Sequence, residues 1–436
     1  MKLDERRTIL SWALYDWANS AFATTVMAGF FPLFFKQYWS AGADVNVSTA
    51  RLGTANSIAG LIVALSAPIL GAIADKGTSR KRFLLFFAFL GAVMSCGLSL
   101  VAQGHWRFAA AFYIVATIGY SGGNVFYDAL ITGVASPKKM DVVSALGYSL
   151  GYLGGGALFA VNVLMTLKPE WFGLADAAAA VRVSFLTVGL WWALFTIPLI
   201  LFVREPRATD LRTGVSAVRA GLRQLGNTFK DLRRNRMVFL FLLAYWFYID
   251  GVDTIIRMAV DFGLSLGFEA NDLIVALLIV QFVGFPAALA YGYLGNRIGA
   301  KRGIFLAIAI YLAITVGGAF MRNERHFFAL AIAIGLVQGG IQALSRSYYA
   351  RIIPVDKSAE YFGFYNMLGK FAAVLGPFLM GYIGLLVRRV SGSADLGTRA
   401  SIMSIALLFI IGAALLCFVK PSQEHATSST GGLEER

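Results

Sequence analysis

The chain is organised around a short basic turn between two long apolar runs, Gly71-Ala-Ile-Ala-Asp75-Lys-Gly-Thr-Ser-Arg80-Lys81-Arg82. The turn returns once as Gly292-Tyr-Leu-Gly-Asn296-Arg-Ile-Gly-Ala-Lys301-Arg302. In both copies an Asx follows the glycine by four residues, and a basic pair begins five residues later. Because the copies stand about half a chain apart, they indicate two structural halves of one design.

Each part of the turn has a physical use at a membrane surface. The glycines let neighbouring backbones approach closely, the Asx side chains can accept hydrogen bonds from helix-start amides, and the basic residues attract anionic lipid head groups. The alternative is a plain positive anchor, which two copies in matching places make less probable. We therefore assign gating to Gly71, Asp75, Arg80, Gly292, Asn296 and Lys301.

The composition indicates a polytopic membrane protein. Of 436 residues, 58% are hydrophobic and 14% are charged, whereas soluble domains carry about 25% charged residues. The net charge is +14, but the basic residues lie between apolar runs, which favours lipid surfaces over nucleic acid. Cys96 and Cys417 both fall inside apolar runs and predict no disulfide framework.

Crossing a bilayer as a helix takes about 20 residues, and twelve apolar runs are long enough. We read the first as a retained span and not as a signal peptide. The predicted fold is an all-α protein with six-span halves at 1–203 and 237–420, a basic linker at 204–236 that partly forms an amphipathic surface helix, and a polar tail at 421–436. The runs are 10–36, 53–74, 83–102, 106–134, 142–167, 180–203, 237–260, 272–295, 303–321, 326–350, 359–387 and 399–419.

The Lys/Arg bias sets the orientation. With the N-terminus inside, the inner loops and termini hold 25 Lys/Arg and the outer loops and outer span ends hold 10. Both termini and the linker are therefore predicted to be cytoplasmic.

A second repeat supports the halves, since a Gly-Gly pair precedes a proline by fifteen residues at Gly122 and Pro137 and again at Gly339 and Pro354. Together with the basic turn, this pattern resembles the major facilitator superfamily. The resemblance implies parallel six-span repeats with a substrate bound near the midplane between them.

Two further stretches resemble a narrower branch, the vacuole-effluxer-like group named for a fungal autophagy-related amino-acid exporter. They are Ser11-Trp-Ala-Leu-Tyr15-Asp16-Trp17-Ala-Asn19 and Ala359-Glu360-Tyr-Phe-Gly363-Phe-Tyr365-Asn366, the second followed by Gly369-Lys370. The branch implies a transporter of a small polar solute, with an amino acid as one candidate. We expect the protein in a bacterial inner membrane.

Polar residues inside the spans are the candidate binding or coupling residues, because charges in lipid are costly and by default functional. Asp16 and Asn19 share a helix face, with Asp16 about 9 Å inside the membrane, and Asn124 and Asp128 share one in the fourth span. The two acids are predicted to flank one inward cavity. The alternative for Asp16 is a structural hydrogen-bond anchor.

Three later spans add further candidates. Asp250, Asp253 and Arg257 form a stripe in the seventh span, where an internal Asp253–Arg257 ion pair is the alternative. Gln342 and Arg346 share a polar face of the tenth span, where the arginine could instead extend to the surface.

Lys370 lies roughly 16 Å deep in the eleventh span, with Asn366 one turn earlier on the same face. At that depth the ammonium needs a protein carboxylate or a substrate carboxylate as its partner.

We therefore predict a secondary transporter working by alternating access on a small-molecule substrate, with proton coupling through a buried carboxylate. We expect a monomer with no cofactor, no metal, no enzymatic activity and no nucleic-acid partner. A serine-nucleophile pattern at Ser121 has no histidine placed as its base. The alternatives are a membrane sensor, an intramembrane enzyme or a channel, and saturable counterflow of a solute separates a carrier from all three.

Overall fold

The computed structural model describes residues 3–77, 80–205, 235–265, 270–321, 323–371 and 375–419, and its regular elements are helices. The N-terminal half contains α1 (Arg6–Trp39), α2 (Val45–Gly77), α3 (Arg80–Leu98), α4 (Trp106–Val134), α5 (Met140–Leu167) and α6 (Ala177–Phe202). The C-terminal half contains α7 (Arg236–Ser265), α8 (Ala270–Ile298), α9 (Ala300–Ala319), α10 (Glu324–Ile352), α11 (Ser358–Phe371 together with Leu375–Ser391) and α12 (Ala394–Cys417).

Eleven helices of the described residues are long and apolar enough to cross a bilayer. The remaining helix, α4, has 29 residues and extends about 43 Å, which is long enough to cross. Asn124, Asp128 and its glycines make α4 less apolar than the other eleven helices. The all-α fold with twelve spans in two six-helix halves is confirmed. The central linker and the tail fall outside the described residues, so the boundaries drawn there stay predictions.

Helix α1 departs from regular α-helix along its outer part. Residues Phe22–Phe30 and Phe35–Trp39 are π-helical, a conformation that is frequent at functional sites. Within the first π-segment, the hydroxyl of Thr24 accepts a hydrogen bond from Gln281 of α8 at 3.1 Å. The irregular part of α1 therefore touches the opposite half.

A glycine stripe on α5 brings this helix against α1. A Cβ atom added at Gly151 would lie 2.6 Å from Ser20 Oγ, and one added at Gly155 would lie 2.7 Å from Thr24 Oγ1. Both distances are too short for a real contact, so a side chain at either position would have to displace these groups of α1. The stripe at Gly147, Gly151 and Gly155 therefore serves close packing of α5 against α1.

The two halves meet where α2 packs against α11 and where α5 packs against α8. At the first crossing, the main chain of Ala359 occupies the space that a side chain at Gly71 would need. At the second, the Ala145 side chain occupies the equivalent space at Gly292. The first glycine of each repeated turn thus admits a helix of the opposite half.

Candidate functional site

The side chain of Arg346, on α10, reaches into the N-terminal half and is 1% exposed. Its Nη1 donates to Asp128 Oδ1 at 3.1 Å and to Asp16 Oδ2 at 3.5 Å. Its Nε donates to Ser144 Oγ at 2.9 Å, and Nη2 donates to the Ser144 carbonyl at 2.8 Å. The arginine therefore does not extend to the surface but joins α1, α4 and α5.

Three aromatic rings complete the surroundings of this guanidinium. Its Cζ lies 4.3 Å from the ring centroid of Tyr148, 4.9 Å from that of Trp12 and 5.3 Å from that of Tyr127. The Tyr127 hydroxyl donates to Asp16 Oδ2 at 2.8 Å. Arginine is suited to such a place, since its planar group bonds carboxylates and stacks on rings at once.

Amide side chains extend the cluster on both sides. Asn366 of α11 donates from Nδ2 to Asp128 Oδ2 at 3.2 Å, and Asn19 donates from Nδ2 to Asn124 Oδ1 at 2.7 Å. The predicted site residues that contact one another in the cluster are Asp16, Asp128, Arg346 and Asn366. Asn19 and Asn124 form a pair of their own, each one helical turn along the chain from one of the two acids. The two acids flank an inserted arginine, where the sequence predicted an inward cavity.

Asp250 of α7 makes contacts of a different kind. This fully buried carboxylate accepts hydrogen bonds from the backbone N–H groups of Leu375 at 3.0 Å and Gly376 at 2.9 Å, both in α11. Asp250 therefore ties α7 to the main chain of α11. The Asp253 side chain is half-buried, and the side chain of Arg257 lies outside the described part, so their ion pair stays a prediction.

Gln342 and Lys370 each stand one helical turn along the chain from a residue of the cluster. Gln342 is half-buried on α10, one turn before Arg346. Lys370 is half-buried in the last turn of the first piece of α11, one turn beyond Asn366.

The first basic turn also makes contacts between the halves. The Asp75 carboxylate accepts hydrogen bonds from the backbone N–H of Ala359 at 3.2 Å and of Glu360 at 2.8 Å, in the first turn of α11. Arg80 Nε donates to Asp75 at 2.7 Å, and Arg80 Nη2 donates to the carbonyl of Asp356 at 3.1 Å. Asp75 therefore has the helix-start contacts that its residue type predicted.

The second turn is built differently. Asn296 is exposed, and Lys301 Nζ donates to the carbonyl oxygens of Cys417 at 3.1 Å and Val419 at 2.6 Å, at the end of α12 in its own half. The residue with equivalent contacts in the first half is Lys81, whose Nζ donates to the Ile200 and Val203 carbonyls at the end of α6. The spacing in the sequence aligns Arg80 with Lys301, whereas the contacts at the helix ends align Lys81 with Lys301.

More contacts close the halves at the same end of the molecule. Arg351 of α10 pairs with Asp141 of α5 at 2.7 Å and donates to the Pro137 carbonyl at 3.1 Å. Ser144 donates to the Ala343 carbonyl at 2.8 Å. The end that carries both basic turns is therefore closed in this structure.

The N-terminal segment is tied to this closed end. Asp4 Oδ1 accepts a hydrogen bond from the Ser136 N–H at 2.9 Å, and Lys139 lies 3.8 Å from its other oxygen. Burial acts to raise the pKa of Asp4, but the Ser136 hydrogen bonds and the Lys139 charge outweigh it and lower the pKa.

A cavity of about 670 Å³ lies toward the opposite end. Its walls come mainly from α8, α9, α10, α11 and α12, with Thr24 of α1 at its side. The predicted binding residues are not among the residues that line it. The charged cluster and this largely apolar cavity are thus separate places in the fold.

Sequence reasoning missed several residues of the cluster and of the closed end. Ser144 and Tyr148 stand one helical turn apart on α5, and Trp12 precedes Asp16 by one turn on α1, so helical spacing from recognised residues could have found them. Asp141, Arg351 and Lys81 carried no such signal. Among the described residues, no group of three or more His, Cys, Asp or Glu could hold a metal ion.

Comparison with known proteins agrees with this architecture. The family model described as vacuole effluxer Atg22 like matches residues 40–428. The uncharacterized MFS-type transporter YxiO of Bacillus subtilis (strain 168) is 40% identical over 414 residues, which cover 94% of each chain. Autophagy-related protein 22 of Coccidioides immitis (strain RS) is 22% identical, with 87% of this chain and 82% of that protein covered.

Among solved structures, the proton:xylose symporter XylE bound to 6-bromo-6-deoxy-D-glucose matches with a TM-score of 0.72. The match covers 95% of this chain and 96% of that chain at 14% identity, which shows a shared fold. The chain therefore belongs to the vacuole effluxer Atg22-like family and is a multi-pass membrane transporter of the major facilitator superfamily.

Proposed function

We propose that the protein is a secondary active transporter that moves a small polar solute by alternating access, with amino acids as the first class to test. The observation that carries the proposal is the insertion of Arg346 from the C-terminal half between Asp16 and Asp128 of the N-terminal half. Such a contact holds one end closed, and it must break when that end opens.

The Asp75 contact also indicates that this end of the protein has a closed state and an open state. Its carboxylate joins the turn after α2 to the start of α11, so it too exists only while the halves are together at this end. A transporter of this fold rocks its halves about a central site. We assign the structure to the state closed on the side of the basic turns, which the Lys/Arg bias places in the cytoplasm.

The charges of the cluster suit a polar solute and are compatible with coupling of transport to protons. Two carboxylates face one guanidinium, so a proton or a cationic group would balance the remaining charge. When the halves separate, the acids and the arginine both need new partners, and a zwitterion offers one to each. The family description names an effluxer, so export from a cell, across a bacterial cell membrane, is the direction to test first.

Counterflow in proteoliposomes tests the proposal. Vesicles with purified protein, preloaded with one unlabelled amino acid, should transiently accumulate the labelled form, and uptake should saturate. Protein-free vesicles and the Arg346→Gln variant are the controls. A channel or a sensor would give no counterflow, and its absence across amino acids, sugars and organic acids would overturn the proposal.

A further inference from the structure

We propose that the pocket holding the Arg346 guanidinium is itself a binding site for guanidinium-bearing organic cations, which becomes available when the halves separate at this end. We call it the guanidinium pocket, and its residues are Trp12, Asp16, Tyr127, Asp128, Ser144 and Tyr148. The inference rests on the proposed alternating access and names a substrate class for the same site.

The pocket belongs to one half of the protein, and the group inside it belongs to the other half. The hydrogen-bond acceptors of the guanidinium lie on α1, α4 and α5, and so do the three rings around it. Arg346 itself comes from α10. A rigid-body rotation of the halves would thus withdraw the guanidinium and leave the pocket intact on the N-terminal half.

The pocket matches the shape and charge of a guanidinium group. All three nitrogens are bonded, with Nε and Nη2 on Ser144 and Nη1 between Asp128 and Asp16. Tyr148 offers its ring at 4.3 Å, the arrangement that gives cation–π attraction. A round ammonium could satisfy the carboxylates but could not make the parallel bonds to Ser144.

Space for the planar group is provided by a glycine. A Cβ atom added at Gly147 would lie 2.6 Å from Asp16 Oδ2 and 2.9 Å from Arg346 Nη2. A larger side chain there would occupy the volume that the guanidinium fills. Gly147 therefore gives a way to block the pocket without removing any of its polar groups.

Withdrawal of Arg346 would leave two carboxylates in the pocket without their cation, which is costly in a buried place. A free guanidinium compound would restore the charge balance and the hydrogen bonds. In this view Arg346 acts as a tethered ligand, and the solute and the arginine exchange places as the halves move.

The test uses methylguanidinium chloride at 10 mM as the probe, with NaCl of equal ionic strength as reference, on full-length protein in detergent. Arg346→Ala vacates the pocket, and we expect the probe to raise its unfolding midpoint by about 2 °C or more. The matched control is Arg351→Ala, which loses another inter-half arginine, and its midpoint should not rise. Adding Gly147→Leu to Arg346→Ala should abolish the rise.

The proposal is overturned if Arg346→Ala shows no rise, or if either control rises equally. Should Arg346→Ala fail to fold, Arg346→Gln serves for the same comparison. Stabilisation by the probe without counterflow of any solute by the wild-type protein would contradict the proposed function and leave the site standing. Counterflow without stabilisation would overturn the site alone.

Discussion

Nη1 of Arg346 lies 3.1 Å from Oδ1 of Asp128, although the two residues stand 218 positions apart in opposite halves of the chain. Both side chains are buried. Removing one partner of such a pair lowers the free energy of unfolding by roughly 3–5 kcal/mol, because the other charge stays buried and unbalanced.

The first prediction follows from this pair. Arg346→Gln and Asp128→Asn should each lower the unfolding midpoint, whereas the double variant should be less destabilised than the sum of the single variants, since it loses one charge of each sign and keeps the net charge of the cluster. Thermal unfolding of the three proteins in detergent measures the coupling. Additive losses would show that the pair does not act as a unit.

The second prediction concerns the gate. Asp75→Ala removes an acceptor for two α11 amides and for Arg80, so it should slow solute counterflow more than it weakens solute binding. The matched control is Asn296→Ala. Its place in the repeat predicted a gating role, but the side chain is exposed in the second turn, so this variant should transport at nearly the wild-type rate. If the Asp75→Ala rate falls only in proportion to affinity, the turn is not a gate.

The third prediction concerns Lys370. At its depth in the span, the ammonium needs a carboxylate of the protein or of a solute as its partner. If a solute supplies that carboxylate, Lys370→Met should abolish binding of carboxylate-bearing solutes while the unfolding midpoint stays unchanged.

Ligand-induced thermal shifts of wild-type and Lys370→Met protein measure this binding. If an acid is the partner instead, Asp250→Asn should partly restore the stability of Lys370→Met. Unchanged binding and transport would remove Lys370 from the mechanism.

The fourth prediction is topological. Single cysteines at Ser216 and Ser428, both outside the described residues, should be shielded from an impermeant thiol reagent in intact cells and react after permeabilisation. Cys96 and Cys417 are replaced first so that each variant has one thiol. Ready labelling at both sites in intact cells would show that the orientation is the opposite of the predicted one.

The sequence predicted the parts of the fold that depend on hydropathy and repetition. Apolar runs located the helices, but several helices extend beyond them: α2 begins at Val45 although its run begins at 53. Helical hydrogen bonding continues through polar residues as long as the backbone allows it, so hydropathy gives the membrane-embedded part and not the helix ends.

The contacts between distant helices could not be read from the chain. Asp250 looked like one member of a charged stripe, yet it accepts hydrogen bonds from main-chain amides of α11. The first of these, at Leu375, lies 125 positions away. Spacing paired Arg80 with Lys301, whereas the helix-end contacts pair Lys81 with Lys301. In both cases residue type and depth were informative, while the partner depended on packing between helices.

The central claim is that contacts of Arg346 and Asp75 hold the halves together at the end of the basic turns. A pulsed electron-spin measurement between labels on the exposed residues Lys138 and Asp356, one in each half, reports this separation most directly. The protein should show a short distance, the Arg346→Gln/Asp75→Ala variant should gain a longer one, and Asn296→Ala should match the unmodified protein. The same distance distribution in all three would contradict the account.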